Sequence, residues 1–358
     1  MTRRKKWILA SLIVIIAGLG IVMGFQARIG HAVFERAVTG RVGYDATAEL
    51  PDGLHIGLCG TGSPLPNAAR AGACTVVIAG NRVFVVDSGE GGARNIQLMG
   101  IAAGRIERLF LTHFHSDHID GLGPMMLLRW TGSSAKSPLP VHGPSGVEAI
   151  IGGFNAAYLA DNGYRVAHHG ADIVPPTGGG ATALPFKLAS DSLVIFDDRG
   201  VKVTAFKVDH DPVSPAVGYR FDYKGRSVVV SGDTAKSSIL IAVAKNVDLL
   251  VHEALQPKMV AAMTRAFDAK GMKNTAQITR DILDYHASPE QAAESAQAAN
   301  VQKLVLSHIV PALPSRFFYP AFLGDATRRY SGTITVGEDG MLFSLPAGSK
   351  DIRQQNLL

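Results

Sequence analysis

The chain has 358 residues, of which 47% are hydrophobic and 18% charged, and its formal net charge is +5. This length is ample for one well-buried core. Four of the positive charges lie together at Arg3–Lys6, so the remainder of the chain nets only about +1. That balance argues against tight binding to RNA, whose affinity depends on clustered Lys and Arg side chains.

The amino terminus has the charge and hydropathy order of an export signal. The basic residues Arg3–Lys6 precede an uncharged, mostly apolar run, Trp7–Phe25. At about 1.5 Å per residue this run approaches the roughly 30 Å core of a bilayer, and it is longer than the apolar region of most signal peptides. Residues 1–26 therefore predict a signal anchor in preference to a cleaved signal peptide. The basic flank would stay in the cytoplasm, with the rest of the chain on the periplasmic side of the inner membrane or, after cleavage, in the periplasm. A short polar linker is expected over 27–50.

The chain has two cysteines, Cys59 and Cys74. Neither lies near a histidine pair with the spacing of a structural zinc site. Cys59 ends the first predicted strand and Cys74 begins the second, so an oxidising compartment would permit a disulfide between them. Two separately buried thiols are nevertheless preferred, because the Cα separation that a disulfide requires cannot be read from the sequence.

The segment Leu111–Asp120, LTHFHSDHID, holds four potential metal ligands within six residues: His113, His115, Asp117 and His118. An apolar strand pattern precedes the segment and a helical pattern follows it. The ligands are therefore expected on a loop at the carboxyl end of a buried strand, where α/β proteins place their chemistry. Imidazole and carboxylate together favour zinc or a similar first-row metal. A chance cluster of polar loop residues is the alternative, and the density of ligands disfavours it.

Further strand patterns alternate with helix-like stretches at 92–103, 144–160, 235–246 and 289–299. This alternation favours sheets that are covered by helices. Residues 160–200 include a Gly-rich stretch and few cations, and they predict a surface loop or lid. Ser288 is placed to cap the last of the helices.

The pattern His-x-His-x-Asp-His at 113–118 resembles the signature of the metallo-β-lactamase superfamily, and other segments match that family in order over about 290 residues. The similarity is to its ribonuclease Z and arylsulfatase-like branch. The matching segments include VVDSGEGG at 85–92, HDPVSPAVGYRF at 210–221, VSGDT at 230–234, VHEA at 251–254 and LVLSHI at 304–309. The resemblance implies an α/β fold, a four-layer αββα sandwich over 51–345 that is preceded by one N-terminal hydrophobic helix and followed by a tail, 346–358.

The resemblance also implies two zinc ions per chain. Site one would comprise His113, His115, His210 and a bridging Asp233, and site two would comprise Asp117, His118, His308 and the same Asp233. Each ion would keep an open position for water, as catalytic zinc sites do. A hydroxide that bridges the ions would be the nucleophile, since zinc lowers the pKa of bound water to about 7. Asp117 is counted as catalytic as well as a ligand, and Asp87 would support the site from a strand end.

Three further residues lie outside the ligand set. By resemblance, His252 would donate a proton to the leaving group, with Glu253 orienting it. A buried structural histidine is the alternative for His252. His286 lies just before the expected cap at Ser288, and it either faces the site or joins the cap.

These features predict an exported dinuclear zinc hydrolase of small anionic esters, similar to arylsulfatases or phosphodiesterases. Its expected partners are a small-molecule ester and the inner membrane, with no nucleic acid. A ribonuclease Z-like endonuclease is the alternative that shares the same motifs, and the near-neutral charge disfavours it. A lactone or amide hydrolase and a non-catalytic, metal-bearing binding module also stay open. The sequence does not indicate the oligomeric state.

Overall fold

The computed structural model describes residues 2–358, which form two compact units. The first unit ends at Asp45 and consists mainly of one helix, α1 (Arg3–Arg41). The second unit, Ala46–Leu358, holds the strands and the other helices.

The strands of the second unit, among the residues that the structure describes, are β1 (Gly53–Gly60), β2 (Cys74–Ala79), β3 (Arg82–Val86), β4 (Ile106–Phe110), β5 (Leu139–Pro144), β6 (Ala181–Phe186), β7 (Ser192–Asp198), β8 (Val201–Lys207), β9 (Val217–Tyr223), β10 (Arg226–Val230), β11 (Leu249–Leu255), β12 (Lys303–Val310), β13 (Thr333–Val336), β14 (Met341–Pro346) and β15 (Arg353–Asn356). Its α-helices are α2 (Gly92–Leu98), α3 (Ser116–Ile119), α4 (Leu122–Ser133), α5 (Val147–His169), α6 (Ser238–Val243), α7 (Pro257–Ala269), α8 (Lys273–Asp281), α9 (Pro289–Ala298), α10 (Tyr319–Leu323) and α11 (Ala326–Arg329).

The strands form two mixed sheets. The first has the order β15-β14-β1-β2-β3-β4-β5-β6, and the second has the order β13-β12-β11-β10-β9-β8-β7. In the first sheet β3 to β6 are parallel, and in the second β10 to β13 are parallel. Several metal-ligand candidates lie in or beyond strands of these parallel parts.

Alternate side chains of each strand pack in different hydrophobic layers. In β2, Val76 and Ile78 pack in a cluster with Leu122 of α4, whereas Val77 and Ala79 pack in the cluster between the two sheets. Residues of one strand point to opposite faces in turn, so this sheet is covered on both sides. The second sheet likewise has an outer cluster that includes side chains of α6 and α9. The predicted four-layer αββα sandwich is therefore confirmed.

The helix α1 extends well beyond the predicted apolar segment. It continues to Arg41, so most of the expected linker at 27–50 is helical instead. Residues such as Gln26, Ala27 and Arg28 have high helix propensity. The linker prediction considered only the polarity of the segment and therefore missed the helix. Among residues 2–358 no single helix is long and apolar enough to cross a membrane; Arg3–Gly20 and Val22–Arg41, bent by 47°, meet the length and composition of a span only together.

Two other segments are more regular than predicted. The expected tail at 346–358 contributes β15, which pairs with β14 in antiparallel register. The expected loop at 160–200 instead completes the long helix α5 and supplies β6 and β7. The glycines of the Gly-rich stretch lie in the connection between α5 and β6. The cap at Ser288 is confirmed, since its side chain accepts a hydrogen bond from the backbone N–H of Gln291.

The two cysteines form a disulfide, contrary to the preferred prediction of separate thiols. Cys59 and Cys74 are 5.0 Å apart at Cα and lie at adjoining ends of the paired strands β1 and β2. The register between these strands places Gly60 opposite Cys74, which the sequence alone could not specify.

Candidate metal centre

The two sheets each contribute ligands to one polar cluster. His113, His115 and the adjoining Asp117 and His118 follow β4 of the first sheet. The other three ligands belong to the second sheet: His210 follows β8, Asp233 follows β10, and His308 lies within β12. The strands therefore end at a common edge, where the predicted ligands meet.

The structure brings all seven predicted ligands together. Ligand atoms of His113, His115, His210 and Asp233 lie within 4.8 Å of one another, and so do those of Asp117, His118 and His308. These groups match the two sites that the resemblance implies, except that Asp233 is grouped with only one of them. Six of the seven side chains are buried and His115 is half-buried, so solvent reaches the cluster on the side of His115.

Contacts of Asp233 explain how one carboxylate serves both groups. Its Oδ2 lies 3.9 Å from Nε2 of His113 and of His210, and 3.3 Å from Nε2 of His308. Its Oδ1 lies 3.4 Å from Nε2 of His118. The carboxylate thus stands between the two sets of imidazoles, which is the position that a bridging ligand requires.

The donor atoms fit a pair of metal ions. The Nε2 atoms of His113, His118 and His210 and the Oδ1 atom of Asp233 are buried without a hydrogen-bond partner. Buried polar atoms in folded proteins almost always have a hydrogen-bond partner. Four such atoms without a partner, all in one cluster, therefore indicate a bound cation. Imidazole and carboxylate donors suit zinc and other first-row metals.

Electrostatics give three of the ligands the form that binds metal. Burial, together with the neighbouring His118, lowers the pKa of His113 well below its ordinary value, and burial also lowers the pKa of His210. Burial alone would raise the pKa of Asp233, but His308 and His118 hold it well below the ordinary value. Neutral imidazoles and an ionised carboxylate are the ligand forms that metals bind. Burial would lower the pKa of His118 and of His308, but the carboxylate of Asp233 raises both, so a metal must displace a proton from these two.

Asp87 supports the cluster from the end of β3. Its Oδ2 lies 2.9 Å from Nδ1 of His118, and it also accepts hydrogen bonds from the backbone N–H and the hydroxyl of Thr112. A histidine whose Nδ1 is held by a carboxylate presents Nε2 to a metal. Thr112, which sequence reasoning missed, therefore fixes the carboxylate that orients His118.

Tyr285 is a second residue that sequence reasoning missed. Its backbone carbonyl lies 2.9 Å from Nδ1 of His210, and its ring lies 4.6 Å from the imidazole of His210. The carbonyl can only accept, so Nδ1 of His210 donates and Nε2 is left for a metal. No pattern around Tyr285 indicated this contact, because it depends on where the segment before α9 crosses the cluster.

His286 and Glu253 form a pair beside the ligands. The Nδ1 atom of His286 lies 3.0 Å from Oε1 of Glu253, which also accepts hydrogen bonds from the backbone N–H groups of Ala287 and Thr234. A ligand atom of His286 lies within 4.8 Å of those of Asp233 and His308. Burial would lower the pKa of His286, but the carboxylate of Glu253 raises it to about 9. Of the two open interpretations, His286 faces the site.

His252 does not face the site, contrary to its predicted role as proton donor. Its neighbour Val251 packs between the sheets, whereas Leu250 packs against the outer helices. Alternate residues of a strand point to the same face of the sheet. The side chain of His252 therefore points with Leu250 towards the outer layer, and that of Glu253 points with Val251 towards the space between the sheets. His252 is fully buried, and its Nδ1 lies 2.7 Å from the carbonyl oxygen of Glu253. Adjacent residues of a strand cannot both reach the same site.

Comparisons with known proteins identify the family. Residues 84–309, which include all seven ligands, match the model of the β-lactamase superfamily domain. The chain is 36% identical over 288 residues to a ribonuclease Z of Mycobacterium avium (strain 104), and the match covers 80% of this chain and 96% of the relative. The chain belongs to the ribonuclease Z branch of the β-lactamase superfamily. A ribonuclease Z of Mycobacterium sp. (strain KMS) is 38% identical over 260 residues, covering 72% of this chain and 85% of that one.

Solved structures of the superfamily share the fold. The metallo-β-lactamase fold protein YhfI of Bacillus subtilis aligns with a TM-score of 0.58 at 18% identity, covering 81% of this chain and 99% of that one. The short form of human tRNase Z aligns with a TM-score of 0.54 at 24% identity, covering 82% of this chain and 99% of that one. The family match and the ribonuclease Z relatives, in contrast, show that the chain is a metal-dependent hydrolase that acts on ester bonds, as predicted.

The predicted substrate class is wrong. The relatives described above, at 36% and 38% identity, are ribonucleases Z, which contradicts the arylsulfatase-like prediction of a small-molecule ester and the prediction of no nucleic acid. The prediction failed because net charge is an average over the whole domain. Local potential at a site depends instead on nearby charges, including bound cations.

Proposed function

We propose that the chain is a ribonuclease Z-like endonuclease that uses two zinc ions to hydrolyse phosphodiester bonds of RNA. The observation that carries the proposal is the convergence of seven ligand side chains in a chain that matches 96% of the length of a ribonuclease Z. Zinc is favoured because catalytic zinc sites in proteins commonly combine histidine with carboxylate ligands, as this cluster does. When bound, such a pair of ions lowers the pKa of water and stabilises the charge that develops on a phosphoryl group.

Residues around the centre orient the metal ligands and donate a proton to the leaving group. Asp87 and the carbonyl of Tyr285 hold His118 and His210 in the orientation that presents Nε2. His286 supplies the proton: its Nδ1 is held by Glu253, so Nε2 is the nitrogen that can give a proton to a substrate. In the reaction, a water molecule loses one proton to solvent and its oxygen bonds to phosphorus, while the bond from phosphorus to the leaving ribose oxygen breaks. The leaving oxygen takes the proton of His286, which a proton from solvent then replaces.

The first prediction concerns metal content and turnover. The purified protein should hold close to two zinc equivalents per chain and cleave a structured RNA at internal bonds. A chelator should remove the zinc and the activity together, and added zinc should restore both, which metal analysis and gel electrophoresis would measure. Absence of cleavage of any RNA by protein that contains two zinc equivalents would refute the proposal.

We further propose that α1 anchors the protein in the inner membrane with the catalytic unit on the periplasmic side. Three features support this location. The basic residues Arg3–Lys6 begin the helix, apolar side chains such as Trp7, Ile16 and Met23 are exposed along it, and the catalytic unit contains the disulfide Cys59–Cys74. The basic flank favours a cytoplasmic amino terminus, and disulfides persist in oxidising compartments. The RNA substrate would then be one that reaches the periplasm.

The second prediction tests this location. An alkaline phosphatase fused after Leu358 should be active, because that enzyme requires export, and a β-galactosidase fused at the same place should be inactive. Substituting Arg3, Arg4, Lys5 and Lys6 together with Gln should reduce the phosphatase signal, since the orientation depends on these charges. An inactive phosphatase with an active β-galactosidase would place the catalytic unit in the cytoplasm.

A further inference from the structure

A cavity of about 530 Å³ opens beside the metal centre. Its wall includes His210, whose ring centroid lies 5.3 Å from that of His115. His115 is the half-buried ligand, so the cavity adjoins the side on which solvent reaches the centre. A molecule whose reacting group lies at the ligands can therefore extend into this cavity.

The cavity has an apolar wall with one aromatic ring. Phe186, Val213 and Pro215 line it, and Phe186 is half-buried against Tyr219, with 6.4 Å between their ring centroids. Packing against the core fixes the ring of Phe186 in place. A planar group that enters the cavity meets a preformed aromatic and aliphatic surface.

Charged side chains lie on the same cavity. Lys187 is exposed, and Lys207 lies 3.9 Å from its ion-pair partner Asp191, a distance at the limit of contact. The carboxylates of Asp209 and Asp211 also line the cavity and would repel a phosphate close to them. Carboxylates accept hydrogen bonds from the amino groups of bases, and lysines neutralise phosphates.

We propose that this cavity is a nucleoside subsite, in which a base packs on Phe186 and Val213 while a backbone phosphate is held by Lys187. The inference rests on the proposed function, since it concerns the nucleoside next to the scissile phosphate. The volume supports it: pockets for small organic ligands span about 300–1,000 Å³, far more than a phosphate alone requires. The acidic side chains favour a base that carries an amino group, such as cytosine.

The test uses two esters with the same leaving group. Cytidine 5′-(4-nitrophenyl phosphate) and methyl 4-nitrophenyl phosphate both release nitrophenolate, so they differ only in the group that would occupy the subsite. The wild-type protein should prefer the cytidine ester by about tenfold or more in kcat/KM, the scale of one base–aromatic contact. Val213→Trp, which fills the cavity, should reduce this preference by about the same factor, and it should weaken binding of cytidine 5′-monophosphate in calorimetry.

Two further variants make the test specific. Lys187→Ala, at an exposed position, should weaken binding of cytidine 3′,5′-bisphosphate, which carries the backbone phosphate as well as the reacting one, without risk to folding. Val194→Trp is the matched control for the inserted ring, because Val194 is 50% exposed on β7 and does not line the cavity. Its preference between the esters should equal that of the wild type.

An unchanged ester preference in folded Val213→Trp, together with unchanged binding of cytidine 3′,5′-bisphosphate by Lys187→Ala, would overturn the subsite. This result differs from failure of the proposed function, which would appear as wild-type protein that cleaves no RNA. Even then calorimetry decides the subsite: binding of cytidine 5′-monophosphate that Val213→Trp abolishes supports it, and absence of binding by the wild type overturns it.

Discussion

Replacing Asp233 with alanine should remove metal from both halves of the centre. The two oxygens of this carboxylate lie 3.3–3.9 Å from Nε2 of four histidines, two in each predicted site. We expect zinc content to fall well below one equivalent per chain, and RNA cleavage to fall by more than about 100-fold, the upper end of what removing a group that only supports a ligand costs. Metal analysis of the purified variant measures the first effect.

Two variants provide the comparison for Asp233→Ala. Asp87→Ala removes the hydrogen bonds to His118 and Thr112 but no metal ligand, so it should cost about 10- to 100-fold in activity or metal affinity. Asp172→Ala, at an exposed position outside the site, should change neither quantity. If Asp233→Ala retained one full zinc equivalent, its carboxylate would belong to a single ion.

Replacing His286 with alanine should slow RNA cleavage by about 10²- to 10⁴-fold, the usual contribution of a general acid, while the zinc content stays unchanged. The leaving ribose oxygen needs a proton, whereas nitrophenolate leaves without one. The same variant should therefore lose much less activity on methyl 4-nitrophenyl phosphate. The comparison of kcat on the two substrates measures the proton donation itself.

The control for His286→Ala is His168→Ala, which changes an exposed histidine at the end of α5. An equal loss on both substrates would show that His286 only positions other groups. Loss of zinc would instead assign it as a ligand, which its closeness to Asp233 and His308 makes a real alternative. In the fully buried His252, the same substitution should lower thermal stability without discriminating between leaving groups.

Four of the ligands could be predicted from their local spacing, and the other three from the resemblance of their segments to a known family. His113, His115, Asp117 and His118 lie within six residues, and the more distant His210, Asp233 and His308 each follow or occupy a strand with a recognisable segment. The four-layer fold could be predicted for the same reason. Strand and helix patterns alternate along the chain, and the matching segments occur in the order of a known family.

Contacts that depend on register could not be predicted in this way. Whether His252 or Glu253 points inward depends on the phase of β11 relative to the two layers it separates. The pairing of His286 with Glu253 joins residues 33 positions apart, and the disulfide depends on the offset between β1 and β2. The prediction of the substrate class failed for another reason. The net charge of all 358 residues does not give the local electrostatic potential of one cleft.

The ligands come from both sheets, and this arrangement couples metal supply to folding. In the unfolded chain His113 and His118 stay close, but His210, Asp233 and His308 are far from them and from one another. An ion that takes ligands from both sheets therefore binds the folded chain much more tightly, and its binding free energy becomes part of the free energy of unfolding. The metal concentration in the surrounding compartment should therefore affect how much of the protein survives proteolysis, in addition to the rate of turnover.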